Sequence, residues 1–354
     1  MIGTALRSAT EVQDFVRDQE RVHVLGRGSK PALHPRPGAA PLADLSALRG
    51  IIEYQPSEYT VTVRAGTPVA EVAAALAEQG QYLPFDPLLP DCATIGGTVA
   101  GNLAGSRRYR YGGVRDFILG ASVVDGAGRA FRVGGKVVKN SAGFDLSKFL
   151  VGSLGQYAIM TELTFKVFPD APQFHSLSFH CEQLDDALAA IMFIGGSAFE
   201  LDALDLLPAD GGWTLLARLG GISETLSQRA ERFAESVKRK TRTLEVRAVE
   251  EQNGLWNPLA GLDGASVVKV VLSPKQVTAL DAHISQTQRR YGLGGNVAWV
   301  ATDAIAELER ALAKLGLRGL CLLGEVDRPV IGAPLEQQLS ARVKSVLDPQ
   351  GKLV

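Results

Sequence analysis

The sequence predicts an α+β protein of two domains, and three observations predict it. Its 354 residues fill two domains at about 100–200 residues each. Short apolar strands alternate with segments of helical periodicity along both halves. Pro169-Asp170-Ala171-Pro172 separates a glycine-rich first half from a helix-and-strand second half. That run sets the domains at 1–170 and 171–354.

The elements follow in order. Thr10-Glu11-Val12-Gln13 has capping-box spacing, and Val12, Phe15 and Val16 share one helical face. Strands are predicted at 21–25, 50–54 and 60–64, with Gln55-Pro56-Ser57-Glu58 as the turn between the last two. Thr67-Pro68 reads as an N-cap followed by proline at the first helical position. It opens a helix over 69–79 that Gly80 ends. Residues 82–113 carry prolines, glycines and few periodic positions, which predicts a long loop. Such loops are functional or disordered, and the spaced Ile95, Val99 and Leu103 argue for order. Strands return at 118–124 and 130–133, around the turn Asp125-Gly126-Ala127-Gly128, and again at 158–168. Beyond the boundary, helices at 184–193, 224–239 and 302–315 alternate with strands near 213–218, 265–272 and 320–323. That alternation predicts an α/β or α+β sandwich, a sheet covered by helices, taken as an α/β cap.

Composition narrows the function classes. Apolar residues make up 46% and charged residues 21%, the balance of a globular chain with a large core. Lys plus Arg number 37 against 38 Asp plus Glu, so no net charge draws the chain to nucleic acid or an anionic membrane. Cys92, Cys181 and Cys321 lie far apart and form no metal-binding spacing. They fit a reducing cytoplasm. No stretch approaches the roughly 20 apolar residues of a membrane span, and residues 1–19 lack the apolar core of a signal peptide. Any membrane association is expected through a partner.

Three segments carry the chemistry. Gly26-Arg27-Gly28-Ser29-Lys30 follows a strand, offers backbone N–H groups at close range, and adds a hydroxyl and two cations. These are the requirements of a diphosphate. The Rossmann alternative fails: Pro31 stands at the third glycine position, and His34-Pro35-Arg36-Pro37 cannot open a helix. A Walker loop at Gly135-Lys136 fails too, because residue 137 is Val and residue 130 is Ala. The run from Thr94-Ile95-Gly96-Gly97 to Asn102 and Gly105 holds four glycines in a dozen residues. Its regular apolar positions distinguish it from a linker, and it reads as a loop running beside a flat ligand. The third segment, Asn140-Ser141-Ala142-Gly143-Phe144-Asp145-Leu146 and then Gly152-Ser153-Leu154-Gly155, marks another tight backbone passage.

Together these segments resemble the FAD-binding domain of the vanillyl-alcohol oxidase / p-cresol methylhydroxylase (PCMH) superfamily, over residues 5 to 170. Tyr111-Gly112-Gly113-Val114-Arg115-Asp116-Phe117 and Gly152-Ser153-x-Gly155 are strong parts of the match. Within the superfamily, the chain is similar to the smaller FAD-binding subunits of bacterial glycolate oxidases. Gly113-Val114-Arg115-Asp116-Phe117, Lys139-Asn140-x-Ala142-Gly143-Phe144-Asp145-Leu146 and Val151-Gly152-Ser153 carry that closer likeness. Leu347-Asp348-Pro349-x-Gly351 resembles the family's end motif.

The resemblance implies a PCMH-type domain of two α+β subdomains clasping an extended FAD, followed by a cap. It implies cofactor contacts at Gly26, Arg27, Gly28, Ser29, Lys30, Thr94, Ile95, Gly96, Gly97, Asn102, Gly105 and Gly113, with Ile159 beside the adenine. It further implies oxidation of glycolate or a related 2-hydroxy acid by hydride transfer to the flavin. Electrons then pass to an iron–sulfur partner or a quinone, with a second flavoprotein subunit in the complex. A non-catalytic FAD-binding structural subunit, or a standalone oxidoreductase with another substrate, are the alternatives. The chain departs from the pattern at Leu154, where the family often has Glu, and at Ala158, where it often has Gly. Its cap histidines are His175, His180 and His283, which argues against the metal site of larger relatives. No catalytic residue stands out.

Three single-residue readings remain. His34 reads as a surface-loop histidine rather than a flavin attachment point, and Cys92 as a buried, inert thiol. The cluster Arg107-Arg108-Tyr109-Arg110-Tyr111 reads equally as an anion-attracting patch or as a solvated loop.

Overall fold

The structure, a computed structural model, describes residues 3–34, 40–135, 145–242, 245–252, 254–334 and 338–354. It divides into two units. One comprises Met1–Ala104, Gly112–Asp170 and Leu335–Val354, the other Gly105–Tyr111 and Ala171–Pro334. The chain changes unit not only after Asp170 but also around 105–111 and near 335. Packing explains both excursions. Leu353 joins the core of the first unit, whereas Ser106 and Arg110 bond Asp205 and Asp202 of the second.

Among the described residues the first unit holds one larger and two smaller sheets. Strands β1 (Thr4–Ala5), β2 (His23–Leu25) and β3 (Leu42–Asp44) form a parallel sheet with β3 in the middle. Helix α1 (Ala9–Asp18) lays Val12 and Val16 into a core with Leu6, Val22, Ala43 and Leu353. Its cap is Ser8, whose hydroxyl accepts from the Glu11 amide, while Glu11 accepts from the Arg7 amide. The capping-box reading at Thr10 is therefore corrected by two residues, since Ser8 is the residue in extended conformation before the first turn.

The larger sheet is antiparallel. Strands β4 (Ile51–Gln55) and β5 (Thr60–Arg64) lead to β6 (Gln81–Tyr82), β7 (Ile118–Asp125), β8 (Ala130–Gly134), β9 (Ala158–Lys166) and β10 (Phe168–Pro169). Five of them pair in the order β4-β5-β9-β7-β8, and β6 pairs with β10. Helix α2 (Val69–Ala77) buries Val69, Val72 and Leu76. Thr67 does not cap it; its hydroxyl donates to the Arg64 carbonyl and accepts from the Gly50 amide. The expected loop at 82–113 contains a short helix, α3 (Ile95–Gly101). Glycine disfavours helix, but burial of Ile95 and Val99 and the Thr94 cap on the Gly97 amide override that propensity.

Among the described residues the second unit is built on one antiparallel sheet of nine strands. In chain order they are β11 (Gln173–Cys181), β12 (Ala203–Ala209), β13 (Gly212–Gly221), β14 (Glu245–Val249), β15 (Ser266–Val271), β16 (Gln288–Gly292), β17 (Val297–Thr302), β18 (Arg318–Leu323) and β19 (Val330–Gly332). They lie side by side as β14-β11-β13-β12-β16-β17-β15-β18-β19. Helices Leu184–Gly195, Ser223–Lys240, Val277–Ile284 and Ile305–Lys314 accompany them. Phe233 of the second helix meets Phe179 of β11 with ring centroids 5.5 Å apart. Mixed helix and sheet in both units makes this an α+β protein.

Candidate functional site

The site is built in the first unit, where β2 runs out into Gly26. Gly28 turns the chain at φ +69°, a conformation that costs glycine little. A single 3-10 turn at Pro31–Leu33 then brings His34 back. Among the described residues no α-helix opens at this loop, as Pro31 predicts. The N-terminal end of α3 lies against this loop: a Cβ on Gly26 would stand 2.5 Å from Thr94 Oγ1. On the other side, the Gly152 and Leu154 amides donate to the Val99 and Ala100 carbonyls at 3.0 Å. Gly152, Leu154 and Gly155 all have positive φ, so the predicted tight passage is real. Asp145 caps the short helix Leu146–Phe149 that leads into it. Residues 140–144 of that motif lie outside the described residues.

These three segments wall one elongated cleft with two ends. The polar end, about 490 Å³ including its solvent-open mouth, is lined by His23, Arg27, Gly28, Ser29, Lys30 and His34. The apolar end, about 450 Å³, is lined by Leu45, Ala65, Gly96, Gly155, Ala158, Ile159 and Met160. Val24, Gly26, Thr94, Gly97, Ala100 and Leu154 belong to both. Next to the polar end a wider hollow takes in Asp44, Ser46 and Arg49.

The electrostatics of the polar end are unusual. Lys30 is only 6% exposed, and its ammonium donates to Ser29 Oγ at 2.7 Å. Burial lowers its pKa to about 8. Arg27 donates to the Asp91 carbonyl at 3.1 Å. The His23 and His34 rings meet edge to face with centroids 5.9 Å apart. Both His34 nitrogens and His23 Nε2 are buried and have no hydrogen-bond partner among the described residues, while His23 Nδ1 meets the Val354 carbonyl at 2.9 Å. Burial, then the neighbouring His23 and Lys30, pushes His34 down to about 4. His34 is therefore no surface-loop histidine. In a native protein, buried polar atoms without protein partners call for water, an ion or a ligand to meet them.

Of the residues singled out from sequence, Gly26, Arg27, Gly28, Ser29, Lys30, Thr94, Gly96, Gly97 and Ile159 come together on this cleft. Ile95 is fully buried in the core. Asn102 ends α3 in the left-handed region. Gly113 precedes the turn Val114–Phe117, its amide held by Asp116. Gly105 falls in the second unit. None of these four lines the cleft. Sequence reasoning missed His23, Val24, Ala100 and Met160, whose types carry no motif signal, and it read Leu154 only as a departure.

The remaining readings are revised. Cys92 is exposed rather than buried. The arginine cluster is neither a free anion patch nor a solvated loop. Arg110 pairs with Glu200 at 2.8 Å and Asp202 at 3.3 Å, and Arg107 lies buried over the Phe174 ring at 5.0 Å. His175 and His180 sit five residues apart on β11, hence on opposite faces of the strand. Among the described residues no group of His, Cys, Asp or Glu is placed to hold a metal ion, and no helix is long and apolar enough to cross a membrane.

Comparison with known proteins accords with this geometry. Residues 4–134 match the FAD binding domain family. The chain is 43% identical over 160 residues to glycolate oxidase subunit GlcE of Escherichia coli (strain K12), covering 45% of each protein. It is 33% identical over 154 residues to a D-lactate dehydrogenase of Anaerostipes hadrus, covering 44% of this chain and 32% of that one. It is 32% identical over 177 residues to glycolate oxidase subunit GlcD of Bacillus subtilis (strain 168), covering 49% and 37%. The matches thus span less than half the length of these relatives. Among solved structures, p-cresol methylhydroxylase superposes with a TM-score of 0.71 at 17% identity, covering 99% of this chain and 88% of that one. Alkyldihydroxyacetonephosphate synthase gives 0.72 at 14%, covering 98% and 75%. The fold is the one these proteins share, and the likeness over residues 4–134 is to an FAD-binding domain.

Proposed function

We propose that this chain is the FAD-carrying subunit of an oxidoreductase that converts glycolate or a related small 2-hydroxy acid to the 2-oxo acid. The observation that carries the cofactor reading is the two-ended cleft. Its polar end offers Arg27, Ser29, Lys30 and unpartnered ring nitrogens to a diphosphate, and its apolar end offers Ile159, Met160 and Ala158 to an adenine. Gly26 and Gly96 leave the backbone bare where a side chain would strike Thr94 or Ala65. FAD, when bound, supplies the hydride-accepting chemistry. The protein's own part is to grip the diphosphate, seat the adenine and hold the loops at 26–30 and 152–155 in register. Both glycolate oxidase relatives bear the name of subunits. On that likeness the chain works in a complex, passing electrons to an iron–sulfur partner beside a second flavoprotein subunit. Any contact with a membrane is through those partners.

A second reading has its own observation. Arg107 and Arg110 are engaged by Asp202 and Glu200, so this basic cluster is not held open for a substrate carboxylate. That favours an FAD-binding subunit without turnover of its own.

One experiment tests both readings. The purified chain is examined by visible spectroscopy, then mixed with glycolate or D-lactate without oxygen. A flavin spectrum is expected, and a colourless protein that takes up no added FAD overturns the cofactor reading. Bleaching of the chain alone supports catalysis by this subunit. Bleaching only after partner subunits are added supports the second reading.

A further inference from the structure

The polar end of the cleft contains more nitrogen than a diphosphate grip requires. His23 and His34 come from different segments, β2 and the turn after Pro31, yet their rings touch inside the cleft. Three of their four ring nitrogens are buried without partners among the described residues. A neutral imidazole has one N–H donor and one lone pair. Leaving both unmet in the protein interior is unfavourable, whereas an imidazolium offering two donors to an anion satisfies both. The surroundings keep His34 neutral while no anion is present. Burial disfavours the charged form most, and the neighbouring His23 and Lys30 ammonium add to this. Among the described residues, the other titratable or charged groups lining these hollows are Arg27 on the loop, Asp44 at the end of β3, and Arg49. Cys92 interacts with Lys30. Asp44 is occupied in accepting from the Ser46 amide at 2.8 Å.

We propose that His34, backed by His23, is a proton-accepting positioning element of the diphosphate site, so that FAD binding draws a proton from solvent onto this imidazole pair. This rests on the FAD reading above. The diphosphate brings negative charge to a pocket whose imidazoles are held neutral by burial. The incoming anion reverses that balance, and the imidazolium then donates to a phosphate oxygen. Proton and ligand bind together, so affinity for FAD weakens as pH rises through the window in which bound His34 titrates. Lys30 titrates in a separate, more alkaline window around pH 8.

The test is calorimetric. Apoprotein is titrated with FAD at pH 6.5 in buffers of different ionisation enthalpy, and the slope of observed enthalpy against buffer enthalpy counts protons. We expect uptake of roughly half to one proton per FAD, and a dissociation constant that rises up to about tenfold per pH unit across part of the range 5 to 7.5. His34→Asn abolishes the uptake and flattens the pH dependence while circular dichroism shows an unchanged fold. Lys30→Arg, which stays charged, retains the uptake. Tight FAD binding by the unaltered protein with no proton uptake overturns the inference alone, as does full uptake in a folded His34→Asn. Absence of FAD binding at every pH overturns the cofactor reading and this inference with it.

Discussion

Gly26 and Thr94 lie against each other, with the hydroxyl oxygen of Thr94 only 2.5 Å from where a Cβ of residue 26 would stand. The same hydroxyl accepts from the Gly97 amide at 3.2 Å and caps α3. One oxygen atom thus both caps the helix and packs against the bare backbone of the loop. Gly26→Ala pushes that oxygen off the Gly97 amide. We expect a loss of about 1–2 kcal/mol in stability, the worth of an N-cap plus local overpacking, and at least tenfold weaker FAD binding. In a Thr94→Ala background the same substitution should cost less. A double-mutant cycle by urea denaturation checks the coupling, and equal costs in the two backgrounds would contradict it.

Gly96 makes a second close approach. A Cβ there would meet the Ala65 carbonyl oxygen at 2.9 Å and Ala65 Cβ at 2.8 Å. Backbone cannot retreat as a side chain can, so Gly96→Ala is expected to destabilise the first unit by about 1–3 kcal/mol. Thermal melting of the apoprotein reads the effect.

His34 gives the apoprotein a pH-dependent stability. Its folded pKa, about 4, lies below the ordinary value near 6.5. Between these values the unfolded chain binds the extra proton, so stability falls as pH drops from about 6.5 to about 4 and His34 contributes no further change below that. The loss is of order 1–2 kcal/mol after allowing for solvent screening. Urea midpoints between pH 4 and 7 measure it, and His34→Asn should shrink the slope.

Asp205 is the polar centre of the second unit. It is fully buried and accepts from Ser106 Oγ at 2.6 Å, Arg290 Nε at 2.9 Å and the Leu293 amide at 3.1 Å. Asp205→Ala strands the Arg290 charge in the interior. A loss of about 3–5 kcal/mol is expected, read as a large drop in melting temperature or as insoluble protein.

Thiol chemistry distinguishes the cysteines. Cys92 is exposed, whereas Cys181 and Cys321 are buried, and burial raises Cys321 to about 11. Ellman's reagent should titrate one thiol quickly in the native protein and three after denaturation. Fast reaction of three native thiols would refute the burial of the other two.

The C-terminal segment shows how far a sequence can be read. Leu347-Asp348-Pro349-x-Gly351 is visible as a motif, but nothing in it says which unit it joins. In the structure Asp348 accepts from the Lys352 and Leu353 amides, Leu353 enters the core beside Val22, and Val354 meets His23. That assignment depends on contacts some 330 residues apart along the chain. The opposite case is the strand Ala158–Lys166, whose alternation is local and whose span was nearly legible.

What the sequence by itself determined is the phosphate loop and its neighbours. Gly26, Gly28, Ser29 and Lys30 are bound to one another by adjacency, and Pro31 excludes a Rossmann helix by local sterics alone. Glycine runs at 96–97 and 152–155 announce close passages for the same reason. What only the tertiary structure decided is which of these residues face one cleft and what else does. Ile95 turned into the core, α3 formed despite its glycines, and the arginine cluster found carboxylates at Glu200 and Asp202. His23 and His34 became a facing pair. Each outcome depends on burial and on partners distant along the chain, and those free energies exceed the few tenths of a kcal/mol to about 1 kcal/mol of local propensity that a sequence displays.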